Sequence, residues 1–135
     1  MVSELERLLS HAHAPYDNKC FAAVVEMKDG KTFSGVTVKN QIYRDAIYAE
    51  QTAIARAVAA GYKYGDFDKI YIMVGTKNIN DLRYINRDII LEFFEPSASV
   101  ILYDLNRNSR VMKAGNLVLN IYTENNVTWL FYLKY

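Results

Sequence analysis

The sequence predicts an α/β protein, a sheet layered between helices that lie on both of its faces. Two observations carry that expectation. Short apolar runs alternate with segments of helical spacing, in the order strand, helix, strand, helix, strand. Glycine, proline and asparagine fall between them, where elements must end.

Residues 2–12 read as a helix, with Leu5, Leu8, Leu9 and Ala12 on one apolar stripe and Ser3 able to cap it. Ala14-Pro15-Tyr16 closes that helix. His11 and His13 stand at its end, where partial positive charge suits a helix C-terminus; a replacement metal site with Cys20 is the alternative reading. Residues 20–27 are apolar and short, as a buried strand is. Asp29-Gly30 then signals a two-residue hairpin turn, since both positions accept positive φ cheaply, and a second strand follows over 32–38.

From Ala49, the residues Ala53, Ile54, Ala57 and Val58 keep helical spacing and Gly61 ends the run. Small side chains on nearly every face predict a helix packed tightly between the sheet and other helices. Glu50 falls in its first turn, where the macrodipole favours its charge. A carboxylate in so apolar a helix still needs a partner or a task. Residues 69–75 follow as a core strand, 76–81 as a polar loop, and 84–95 as a helix with Ile85, Ile89 and Phe93 in line and Pro96 as its stop. A strand over 99–104, an Asn-rich turn over 105–109 and a further strand over 110–114 complete the sheet; 117–122 reads as strand or helix.

A chain of 135 residues is one domain with room for a single substantial core. Net charge is +1, with signs mixed along the chain, so nucleic-acid binding has no electrostatic footprint. The single cysteine excludes an internal disulfide and a multi-thiolate metal site within one chain. No apolar run is long enough to span a bilayer and no signal-like N-terminus is visible, which points to the cytoplasm.

Several short motifs occur together. Ala14-Pro15-Tyr16, Lys28-Asp29-Gly30, Ser34-Gly35, Asn40, Tyr43, Ala49-Glu50, Thr52-Ala53-Ile54, Arg87 and the run over 89–93 resemble the cytidine deaminase family in order and spacing. The similarity is to members acting on free nucleosides or blasticidin-type substrates, and it covers roughly the first hundred residues. It implies a three-layer α/β/α fold with a mixed five-stranded sheet, an oligomer (a homotetramer or dimer) and a zinc-dependent deamination in which Glu50 is the catalytic carboxylate.

The chemistry departs from that pattern. The family holds zinc through a His or Cys two residues before the glutamate and through the two cysteines of a Pro-Cys-x-x-Cys helix start. Here those positions are Tyr48, Arg83 and Asn86, with Leu82 at the proline. A guanidinium cannot become a ligand and a lone amide is a poor one, so the expectation is a protein without zinc or any other cofactor. Without a metal nothing lowers the pKa of a water toward neutrality.

The nucleoside pocket departs as well. A Phe that packs on the pyrimidine is replaced by Lys19, and the Asn and Glu that meet the ribose hydroxyls by Thr37 and Lys39. Exchanging an anionic acceptor for a cation removes what a sugar hydroxyl donates to. The two lysines are read as solvated surface, with an anionic ligand such as a phosphate as the alternative. Gln51 is neutral where the family often places an Arg that offsets thiolate charge. Arg83, a fixed cation close to the metal position, is expected to pair with Glu50 in its stead, since a buried carboxylate alone costs several kcal/mol.

The run from Trp129 to Leu133 resembles the short terminal helix of blasticidin-type deaminases, and so many apolar residues near a terminus suit packing on a core or subunit. Three functions are therefore open. One is a deaminase fold without its reaction, binding a nucleoside- or nucleotide-like small molecule. The second is a deaminase with an atypical metal site and Glu50 as proton shuttle. The third is a structural partner of an active paralogue.

Overall fold

The apolar run after Cys20 forms strand β1 (Phe21–Met27), from which the sheet grows outward in a computed structural model that describes residues 1–17 and 19–117. β2 (Thr32–Val36) and β3 (Phe67–Val74) flank β1, both antiparallel to it. β4 (Ser99–Tyr103) lies parallel to β3, and β5 (Ser109–Lys113) closes the far edge antiparallel, giving the order β2-β1-β3-β4-β5. The sheet is mixed because β3 and β4 are joined by a helical crossover, whereas the other neighbours in sequence are joined by turns or return antiparallel. The five-stranded α/β architecture expected above is the one observed.

Side chains of β1 alternate between two cores, so every residue of the strand except Glu26 is buried. Ala22 and Val24 face α1 (Val2–Leu9), whose Leu5 and Leu8 close one side of the sheet with Met73. Ala23 and Val25 face α2 (Ala49–Ala59) and α3 (Arg87–Phe93), where the larger core lies. A strand apolar on both faces shows no alternation in sequence, which is why 20–27 read as a continuous run.

The turns differ from expectation in detail. Strand pairing stops at Glu26 and Thr32, so the hairpin is longer than two residues. Gly30 sits at φ +90°, and the Met27 N–H donates to the Lys31 carbonyl at 2.8 Å. Asp29 works through its side chain, accepting the Lys31 N–H at 3.0 Å and the Tyr62 hydroxyl at 2.6 Å. α1 has Met1 and not Ser3 at its N-cap, and ends earlier than expected at Leu9.

The helix expected over 84–95 is shorter, Arg87–Phe93. A 3₁₀ segment, Ile79–Tyr84, is followed at Ile85 by extended backbone, and Asn86 caps α3 by accepting the Ile89 N–H at 3.3 Å. Ile90, Leu91 and Phe94 are the most buried of this stretch, with Ile89 and Phe93 only packed against them. Residues 114–117 are helical; the expectations for the rest of 117–122 and for the Trp129 to Leu133 run lie outside the described residues. Among the described residues no helix is long and apolar enough to cross a membrane.

One close contact sets the position of α2. Gly35 of β2 lies directly under its first turn, and the Arg56 guanidinium donates to the Ser34 carbonyl at 2.8 Å and to its hydroxyl at 3.1 Å. Small residues on both sides allow this approach, as the alanine-rich composition of the helix predicted.

Candidate functional site

A cavity of about 340 Å³ opens where β1 begins and β2 ends, beside the first residue before α2. That size lies within the range of small-molecule sites. The backbone there is drawn together by isolated bridges: Val38 pairs with His13 on one side and with Ile47 on the other. A short 3₁₀ turn, Tyr43–Asp45, then carries the chain across the mouth to Tyr48.

Four aromatic residues, Phe21, Tyr43, Tyr48 and Tyr84, contribute to the walls. Three cations, Lys19, Lys39 and Arg44, share the lining with one acid, Asp17. Lys19, Thr37, Lys39 and Tyr48 all line this one cavity. The lining adds Tyr84, Arg44 and Asp17, which the sequence reading missed. Tyr84 carried a signal, since it lies beside Arg83; the loop residues Asp17 and Arg44 carried none.

The polar groups of this wall are already engaged in different degrees. The Thr37 hydroxyl is buried, accepting the Phe21 N–H at 2.8 Å and donating to the Phe21 carbonyl at 3.3 Å. It pins β1 to β2 instead of facing a ligand. Lys39 is ion-paired with Asp17, and that bond, with the Lys19 backbone N–H, holds the Asp17 carboxyl below its ordinary range. Lys19 stands over the Tyr84 ring, its Nζ 4.3 Å from the centroid.

Glu50 is 1% exposed and lies behind this cavity rather than in its lining. Among the described residues neither carboxylate oxygen has a hydrogen-bond partner. The backbone N–H groups of Glu50 itself and of Asn86 face the carboxylate without reaching ordinary hydrogen-bond geometry. Burial therefore dominates and pushes its pKa up to about 7, with those two N–H groups opposing the shift. The expected stabilisation of its charge by the helix macrodipole is outweighed by desolvation.

The pairing of Glu50 with Arg83 is not formed. The Arg83 side chain is exposed, donating to the Tyr84 hydroxyl at 2.8 Å and to the Asn80 carbonyl at 3.4 Å. Its guanidinium also lies 4.6 Å from the Tyr84 ring centroid. The 3₁₀ turn that carries Arg83 buries its neighbour Leu82 and so turns the arginine outward. Together Arg83 and Lys19 lower the Tyr84 phenol, Arg83 being the larger influence.

The three positions that the resemblance matches to the family's zinc ligands, Tyr48, Arg83 and Asn86, do not fit that ion. Asn86 spends its side-chain oxygen on the cap of α3, Arg83 points away, and the Tyr48 phenol is raised by partial burial and by Tyr43 and Glu50. A phenol kept neutral, a guanidinium and an engaged amide make no zinc donor set. Nor do His11, His13 and Cys20 form one: among the described residues no group of three or more His, Cys, Asp or Glu is placed to hold a metal. Gln51 serves locally, its Oε1 accepting the Tyr48 N–H at 3.4 Å.

Known proteins share this architecture. The cytidine deaminase of Burkholderia pseudomallei superposes with a TM-score of 0.76 at 31% identity, covering 86% of this chain and 91% of that one. The cytidine deaminase of Mycoplasma genitalium is 24% identical over 121 residues, 89% of this chain and 91% of its own length. That of Mycobacterium leprae, at 20% identity and a TM-score of 0.61, shares the fold over 86% of the chain. No protein-family model matches.

Proposed function

The chain belongs to the cytidine deaminase family, and from that premise we propose that it is a zinc-less member that binds a nucleoside- or nucleotide-like small molecule without deaminating it. The observation that carries this reading is the separation of the cavity from the family's chemistry. The cavity is aromatic-walled and open to solvent, whereas Glu50 is buried outside its lining, and Tyr48, Arg83 and Asn86 supply no zinc donor set. A binding site persists where the means of activating a water does not.

A second reading has its own support. A buried carboxylate titrating near neutrality suits proton transfer. It favours a deaminase with an atypical metal site and Glu50 as proton shuttle. Metal content of protein purified without chelator, measured beside a cytidine deamination assay, separates the two. The expected result is far less than one zinc per chain and no turnover above the uncatalysed rate. Stoichiometric zinc with turnover would establish the second reading and sink the first.

The rim of the cavity supports assembly into a homo-oligomer, a tetramer or dimer. Ile42, Tyr43 and Ile47 are 54%, 82% and 40% exposed there, more apolar surface than one short loop ordinarily leaves to water. Sedimentation equilibrium is expected to return a multiple of the chain mass, and a monomer at micromolar concentration would refute assembly. A single cysteine, half-buried Cys20 with its thiol raised by burial, suits a reducing compartment such as the cytoplasm.

A further inference from the structure

We propose that the cavity takes a nucleoside monophosphate in preference to the uncharged nucleoside, with Lys19 and Arg44 meeting the phosphate. The inference rests on the reading of this cavity as a site for a nucleoside-like ligand and assigns the group that determines its affinity.

The charges of the lining do not balance. Three cations face one carboxylate, and Lys39 already holds that carboxylate. Arg44, exposed on the 3₁₀ turn at the mouth, makes no hydrogen bond or ion pair among the described residues. Lys19 has the Tyr84 ring beneath its ammonium and, among the described residues, no salt bridge to an acid, feeling Asp17 only at longer range. Arg83 shares that same ring from just outside the lining, so two cations crowd one phenol. A cleft lined by one sign of charge focuses its field on an incoming counter-ion. Arginine meets a phosphate with two parallel N–H donors and lysine with a point charge.

The same wall is poorly equipped for a sugar alone. The Thr37 hydroxyl is used on the backbone of Phe21, and Lys39 is tied to Asp17. The hydroxyl is engaged, and an ammonium only donates, so neither offers an acceptor to a ribose hydroxyl. Aromatic faces remain for a planar ring, notably Tyr43 and Tyr48. Ring stacking is sequence-tolerant and gives little discrimination, so the anionic group becomes the part of the ligand with most to gain from this site.

Isothermal titration of the full chain with cytidine, cytidine monophosphate and inorganic phosphate tests the assignment. Cytidine monophosphate is expected to bind at least about tenfold more tightly than cytidine, and the ratio to shrink as salt is raised. Arg44→Ala and Lys19→Ala, each outside the core, are each expected to weaken cytidine monophosphate binding more than cytidine binding and so to move the ratio toward one. Equal affinity for nucleoside and nucleotide would overturn the phosphate assignment and leave the binding reading standing. A folded chain that binds neither would overturn both. Inorganic phosphate binding as tightly as the nucleotide would reduce the site to an anion site and likewise overturn the proposal.

Discussion

Replacing Glu50 by Gln will stabilise the chain relative to wild type as pH rises, by about 3 kcal/mol between pH 4 and pH 8. The carboxyl is raised from 4.5 to about 7 in the folded state, because it is buried without a hydrogen-bond partner among the described residues. Each unit of such a difference corresponds to about 1.4 kcal/mol. Below 4.5 both folded and unfolded chains carry the proton, and the group costs nothing. Between 4.5 and about 7 the folded chain binds a proton that the unfolded chain has released, so stability falls as pH rises. Above that window the loss is complete and constant. Gln carries no such penalty, and any fixed cost of burying its amide cancels when the two pH values are compared. Urea unfolding of both proteins at pH 4 and pH 8 reads the difference. A Glu50 paired with Arg83 would give the opposite sign, since its folded pKa would be depressed and Gln would lose ground at neutral pH.

Gly35→Ala is expected to cost about 3 kcal/mol or more, a large fraction of the stability of an ordinary domain. A Cβ at this position would lie 2.2 Å from the Ala49 carbonyl oxygen and 2.7 Å from the Ala53 amide nitrogen. Both are backbone atoms in the first turn of α2, so no side-chain rotation can relieve the clash. The helix itself must move. Its first turn carries Glu50 and follows Tyr48, so a variant that still folds should also show weakened binding in the adjoining cavity. A midpoint of urea unfolding unchanged from wild type would mean that α2 stands further from β2 than this geometry places it.

The elements were legible because their signals are local. Apolar runs, Asp29-Gly30, Gly61 and Pro96 each constrain their own neighbourhood, and the residues between them leave few alternatives. Boundaries shifted where a side chain took over a backbone's role, as when Asn86 capped α3 and shortened the helix expected from Tyr84 onward. The candidate site was legible in part for a related reason. Lys19, Thr37, Lys39 and Tyr48 could be placed by their order against related sequences, and the structure gathers them at one cavity.

Direction was not legible. Opposite charges at Glu50 and Arg83 suggested a pair, but a residue type says nothing about which way a short turn points it. Leu82 takes the inward place, and Arg83 is left over the ring of Tyr84. The Asp17–Lys39 pair was invisible for a similar reason: it joins two loops separated by a whole hairpin, whose approach depends on bridges formed after folding.

By itself the sequence determined the layered α/β class, the lone cysteine and the family to which the chain is similar. These follow from residue identity and from periodicity along the chain. Only the tertiary structure decided that Glu50 is isolated, that Thr37 is spent on Phe21, and that Lys19 and Arg44 converge on an aromatic-walled cavity. Those are properties of distance and burial, and burial is decided by what the rest of the chain packs against a residue, not by the residue itself.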